Sequence, residues 1–191
     1  MPRPLGEHRI VIMSKKEAVS EVVLYTIGHS NREIAEFIDL LKNNEIEVLI
    51  DVRKLPGSAK YPHFNQEALS SSLSSVNIQY IHLKELGGRR KQNKDSKNTI
   101  WKNSSFQAYA DYMETAEFLG GIESLLGYAK KKRTAIMCSE AVWWRCHRAL
   151  IADYLKSIGV EVYHIMSATS NQLHPYTSAA RIRDGKLFYY E

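Results

Sequence analysis

The sequence predicts an α/β fold: a single three-layer domain with a mostly parallel sheet of about five strands, helices on both faces and a C-terminal hairpin. Three observations point there. Five short β-branched or apolar runs are spaced along the chain, helical patterns fill the gaps between them, and an Asp-Gly pair sits between apolar flanks near the end.

The first run, residues 22–27 (Val-Val-Leu-Tyr-Thr-Ile), is followed by a helical pattern over 32–43 that places Ile34, Phe37, Ile38 and Leu41 on one face. A second run at 46–50 leads to a helix over 65–74, and a third at 78–83 opens a polar, basic, glycine-containing stretch at 84–103. That stretch is longer than an ordinary connection, so it is expected to be either a functional loop or a mobile one. A pair of helices within 104–131 precedes the fourth run, 133–138, and a helix over 143–157 precedes the fifth, 160–165. Strands alternating with helices call for crossover connections and hence parallel pairing. The Asp184-Gly185 pair within 181–190 is the signature of a tight antiparallel hairpin.

The bulk properties bound what such a domain does. A chain of 191 residues buries roughly 70% of its unfolded surface and needs no staple. Residues 1–20 mix charges with apolar side chains, lack a continuous hydrophobic segment and read as an N-terminal extension to a domain over 21–191. With two cysteines and no secretory leader, the expected compartment is the cytoplasm, and no run approaches the ~20 apolar residues of a membrane span. The formal net charge of +5 favours anionic partners, either a small molecule or nucleic acid. Lys130 to Arg133 read as a solvated helix end; Arg89, Arg90, Lys91, Lys94 and Lys97 form a second cluster inside the long loop.

Ligands of open parallel sheets bind at the carboxyl ends of the strands. Just past the five runs stand Gly28-His29-Ser30, Asp51-Val52-Arg53, His82 to Glu85, Cys138-Ser139-Glu140 and His164. Both cysteines fall in one segment, Cys138 to Arg148, together with Glu140, His147 and Arg148. Each residue also has a plain structural reading. Asp51 can pair with Arg53 or cap turn amides, Gly28 to Asn31 can be a turn and a helix cap, and Cys138 can be a packed thiol. Cys146 can lie on the apolar stripe with Leu150 and Tyr154, although Arg145 and His147 beside it favour a thiolate. No metal site is expected, because the seven-residue gap between the cysteines and the adjacent Cys-His pair do not match common zinc spacings.

Taken together, these motifs resemble the domain of unknown function 488 family. The resemblance rests on Thr26 to Ser30, on Asp51, Val52, Arg53 and Pro56 with Pro62 and Phe64, on Leu86, Gly87, Gly88 and Arg89, and on Cys138, Glu140, Cys146, His147 and Arg148. One more residue separates Glu140 from Cys146 here than in the family element, and two tryptophans fill the gap. The resemblance implies the α/β fold and a shared site, and no particular reaction.

The functional expectation is an enzyme on a phosphate-containing or other anionic substrate. Gly28, His29, Ser30, Arg53, Arg89, Cys138 and Arg148 are the candidates for holding the substrate. Asp51, Glu140 and His147 are the candidates for moving protons, and Cys146 or Cys138 for acting as nucleophile. Three alternatives stay open. One is a nucleic-acid-binding module without catalysis, using the basic loop from Arg89 to Lys102 with Trp101 as a stacking surface. The second is a sulfur transferase, since Asp-x-Arg after one strand and Cys after another resemble the rhodanese arrangement, without its compact glycine-containing loop. The third is a regulatory or scaffold protein whose pocket binds a metabolite. No residue pattern names a cofactor or an oligomeric state.

Overall fold

A computed structural model describes residues 22–191; the expected extension over 1–20 lies outside the described residues. The elements are β1 (Val23–Gly28), α1 (Ile34–Asn43), β2 (Val48–Asp51), α2 (Gln66–Ser74), β3 (Gln79–His82), α3 (Ser104–Tyr112), α4 (Ala116–Ala129), β4 (Thr134–Cys138), α5 (Arg148–Ser157), β5 (Glu161–Ser167), β6 (Ser170–Leu173), β7 (Arg181–Arg183) and β8 (Lys186–Phe188). Six strands form one sheet in the order β3-β2-β4-β1-β5-β6, and β7-β8 is the expected hairpin. Strands β1 to β5 pair in parallel.

Residues alternate between the two faces of a strand, and both faces are covered. On one face Tyr25, Ile27, Leu49, Ala135 and Met137 pack against Phe37, Leu40 and Leu41 of α1 and Leu69 and Leu73 of α2. On the other, Leu24, Val48, Ile50 and Ile136 meet Tyr109 of α3, Phe118, Ile122 and Leu125 of α4, and Leu150, Ile151 and Leu155 of α5. Each such side chain contributes roughly 1.5–3 kcal/mol when fully buried. The pair of helices expected within 104–131 divides where Thr115 caps α4 by accepting the Phe118 amide, while Asn103 caps α3 by accepting the Ser105 and Phe106 amides.

Three elements differ from expectation. The sheet has a sixth strand, β6, which runs antiparallel to β5; all of its side chains are exposed, so no apolar alternation marks it. The last helix starts at Arg148, because Trp143–Arg145 form a separate 3-10 turn whose Trp143 ring stacks on His164 at 4.5 Å and donates to Gln172. The long loop is partly tied down: Lys84–Leu86 form a 3-10 turn, and Arg90 donates to the carbonyls of Lys84, Glu85 and Gly87 while lying 3.4 Å over the Tyr112 ring. Among the described residues no helix is long and apolar enough to cross a membrane.

Neighbouring strands β1 and β4 send their chains to opposite faces, β1 into α1 and β4 into α5. A crevice opens at such a switch point. Gly28 stands opposite Cys138 at its base. A Cβ built on Gly28 would lie 1.8 Å from the Glu140 carbonyl oxygen, so the absent side chain is what lets the loop after β4 close over β1. Gly28→Ala is therefore expected to cost at least about 3 kcal/mol in urea unfolding. Gly120→Ala on α4, where a Cβ meets nothing within 4 Å, is expected to gain about 0.5–1 kcal/mol. A Gly28→Ala protein as stable as the parent contradicts the close approach.

Candidate functional site

An open pocket of about 720 Å³ fills the crevice. His29, Ser30 and Asn31 line it from the end of β1, Arg53 to Leu55 from β2, and Cys138 to Ala141 from β4. Gly57, Ser58, Lys60, Tyr61, Gly88, Arg89 and His147 complete it. Four cationic chains, Arg53, Lys54, Lys60 and Arg89, therefore face one volume, with Glu140 the one carboxylate among the lining residues.

Asp51 holds the first of these cations. Its fully buried carboxylate accepts from the Arg53 amide at 3.0 Å, from Arg53 Nε at 2.9 Å, from Nη2 at 2.6 Å and from the Tyr80 hydroxyl at 2.7 Å. Arg53 Nη2 also donates to the Phe64 carbonyl, and Nη1 points to His29 Nε2 at 3.4 Å. His29 donates from Nδ1 to the Ser30 carbonyl, which leaves Nε2 as the acceptor. Burial, with Arg53 adding to it, lowers the His29 pKa to about 4, so the ring is neutral at physiological pH.

At the other wall the two thiols and an imidazole converge. His147 Nε2 donates to the Val52 carbonyl at 3.0 Å, which turns Nδ1 toward Cys146 Sγ at 3.6 Å and Cys138 Sγ at 3.9 Å. All three donor atoms lie within 4.8 Å of one another. Gly88 is packed against this ring: a Cβ there would stand 3.0 Å from Nδ1. The thiols titrate as a pair. The hydrogen bond to Cys146, and burial, push Cys138 up; burial also opposes ionisation of Cys146, but the Cys138 hydrogen bond and the charge and N–H groups of Arg148 outweigh it and pull Cys146 down.

Arg148 is itself held by a buried chain of hydrogen bonds. Its Nη2 donates to the Glu140 carbonyl and its Nη1 to Thr26 Oγ1 at 3.1 Å. A guanidinium only donates, so the Thr26 proton goes to His164 Nδ1 at 2.7 Å. His164 then donates from Nε2 to His174 Nδ1 at 2.9 Å, and His174 donates from Nε2 to Asp153 Oδ1 at 2.9 Å. The Thr177 amide and hydroxyl and the Tyr189 hydroxyl complete the Asp153 carboxylate. Every tautomer in the chain follows from its two charged ends.

Of the residues expected from the sequence, His29, Ser30, Arg53, Arg89, Cys138, Glu140 and His147 line the pocket. Gly28, Asp51, Cys146 and Arg148 do not: all four are packed behind its wall. Within the Gly28-His29-Ser30 turn, a candidate for holding the substrate, two backbone amides are already used, since His29 N donates to the Cys138 carbonyl and Ser30 N to the Ser139 carbonyl. Trp101, expected as a stacking surface, packs against Phe106 and Tyr189. Sequence reasoning missed Lys54 and Lys60 as pocket cations, although Lys54 directly follows Arg53. It also missed Thr26, Asp153 and His174, of which only Thr26 lies in a motif it singled out.

A family model described as Domain of unknown function DUF488 matches residues 33–155 of the chain. No curated protein and no solved structure matches it.

The buried histidines set an acid limit on stability. Burial, with His174 and Arg148 adding to it, lowers the His164 pKa to about 2, and His29 titrates near 4. The unfolded chain takes up both protons first, so stability is full above pH ~6.5 and falls as pH drops below it, by about 1.4 kcal/mol per pH unit for each histidine. Urea unfolding at pH about 7.5 and about 5 is expected to differ by roughly 2 kcal/mol per histidine, and His164→Asn is expected to flatten that slope while lowering stability at the higher pH. Equal stability at the two pH values contradicts neutral burial.

Proposed function

The chain belongs to the family described as domain of unknown function DUF488, and we propose that it is an enzyme that binds a small phosphate-containing anion at the carboxyl edge of its sheet and acts on it at the Cys138–Cys146–His147 centre. One observation carries this reading. Cys138 and His147 line the same pocket as Arg53, Lys54, Lys60 and Arg89, so a reactive centre and an anion site share one volume.

Each group has a part that its surroundings support. Arg53 is held by a saturated Asp51 carboxylate and lines the pocket, while Lys54, Lys60 and Arg89 supply long-range attraction and adaptable donors. Asp51 is spent on Arg53 and moves no proton. His147 Nδ1 is the base nearest the thiols, because Nε2 is committed to the Val52 carbonyl. Glu140 is the one carboxylate exposed in the pocket lining, where it can accept a hydrogen bond from a bound substrate. Cys138 is the thiol that a bound substrate meets; Cys146 lies behind it and sets the charge state of the pair.

The reading predicts that pyrophosphate or a nucleotide slows alkylation of Cys138 by the neutral reagent iodoacetamide, saturably and less so at high salt. Lys54→Ala and Arg89→Ala are each expected to weaken that protection about 3- to 10-fold without changing stability, as partly exposed charge contacts do. Alkylation that no phosphate compound slows at low ionic strength rules the reading out.

A further inference from the structure

We infer that Cys138, Cys146 and His147 form a binding site for one thiophilic divalent metal ion of the zinc class, with its fourth coordination position open to the pocket. The inference rests on the reading above only for what occupies that fourth position; with the ion bound, His147 Nδ1 and the Cys138 sulfur are its ligands rather than base and nucleophile.

The distances carry it. A tetrahedral zinc ion with its usual bond lengths spaces a sulfur and a nitrogen ligand roughly 3.6 Å apart and two sulfurs roughly 3.8 Å apart. Here Cys146 Sγ and Cys138 Sγ lie 3.6 and 3.9 Å from His147 Nδ1, and the whole set falls within 4.8 Å. Adjacent residues rarely share a metal, because successive side chains diverge. Cys146 escapes this because it is extended (φ −128°, ψ 149°) while His147 is helical (φ −58°, ψ −13°), and the turn between them brings both donors to one point.

The surroundings fit a ligand rather than a packed thiol pair. His147 donates its remote N–H to a backbone carbonyl, Val52 O, the contact that fixes the tautomer and orientation of metal-binding histidines. Gly88 keeps clear the space beside Nδ1 that a Cβ would enter at 3.0 Å. Two sulfurs and one imidazole are the donors that soft and borderline divalent ions prefer, and two thiolates neutralise such an ion. Three protein ligands with one position left over is the pattern of a catalytic rather than a structural zinc. Cys138 and His147 both line the pocket, so that position faces the volume where the cationic chains would hold an anion.

The test is a titration of the full chain, stripped with chelator and reduced, with Co²⁺ as an optical probe and then Zn²⁺ as competitor. The expected result is one Co²⁺ per chain, with thiolate-to-cobalt charge transfer and the strong visible bands of a tetrahedral ion, displaced by one Zn²⁺. Cys138→Ser, Cys146→Ser and His147→Ala are each expected to weaken binding by at least about 100-fold, and Arg145→Ala, an exposed neighbour, to leave it unchanged. If a variant fails to fold, the parent protein still answers: Zn²⁺ but not Mg²⁺ should protect Cys138, the thiol that lines the pocket, from alkylation with no phosphate present. Binding weaker than about 1 μM, or binding that survives the three substitutions, overturns the inference. Phosphate protection measured without metal reports on the anion pocket alone, so the two readings can fail separately.

Discussion

Arg148 is a guanidinium buried to 1% exposure, and among the described residues no carboxylate pairs with it. Removing a charge from water costs several kcal/mol unless donors are matched and opposite charge lies close. Thr26 and the Glu140 carbonyl satisfy two of its nitrogens, the buried Nε has no hydrogen-bond partner among the described residues, and the Cys146 sulfur is an ionisable group that feels its charge. The first turn of α5, the end of β1 and the loop after β4 are thereby joined at one cation. Burial opposes ionisation of the Cys146 sulfur, and the hydrogen bond with Cys138 together with this cation outweighs it and pulls that thiol down.

The pocket inherits its shape from that arrangement. Closing the 138–140 loop over Gly28 uses up the amides of His29 and Ser30, which leaves side chains rather than backbone as the donors for the proposed anion. Those side chains stand on the opposite wall, where Asp51 plays for Arg53 the part that the Thr26–His164–His174–Asp153 chain plays for Arg148. Two buried carboxylates thus each fix a guanidinium, Asp51 by direct contact and Asp153 through three intervening residues. Arg53 lines the pocket, and Arg148 lies behind it beside Cys146.

Much of this architecture is legible in the sequence, for physical reasons. Strands covered on both faces are continuous apolar runs, so β1 to β5 stand out; β6, Ser-Asn-Gln-Leu with every side chain exposed, has no pattern to read. Parallel strands put their polar end residues on one edge, which is why His29, Arg53, Cys138 and Glu140 group together on strand order alone. Direction is what a sequence does not carry. Asp51 and Arg148 look like residues that meet a ligand, and both turn inward to hold other groups. The common zinc spacings, which speak against a metal here, presuppose a regular backbone, whereas a 3-10 turn followed by extended Cys146 is irregular. His174 was out of reach because it follows the one strand that left no signal.

The central claim is that an anion site and the Cys138–Cys146–His147 centre share one pocket. A crystal structure of the full chain soaked with tungstate, an oxyanion whose anomalous scattering identifies it, tests this most directly. The account predicts the oxyanion between Arg53 and Arg89, facing Cys138 and His147. An oxyanion bound elsewhere on the protein, with none in this pocket, contradicts it.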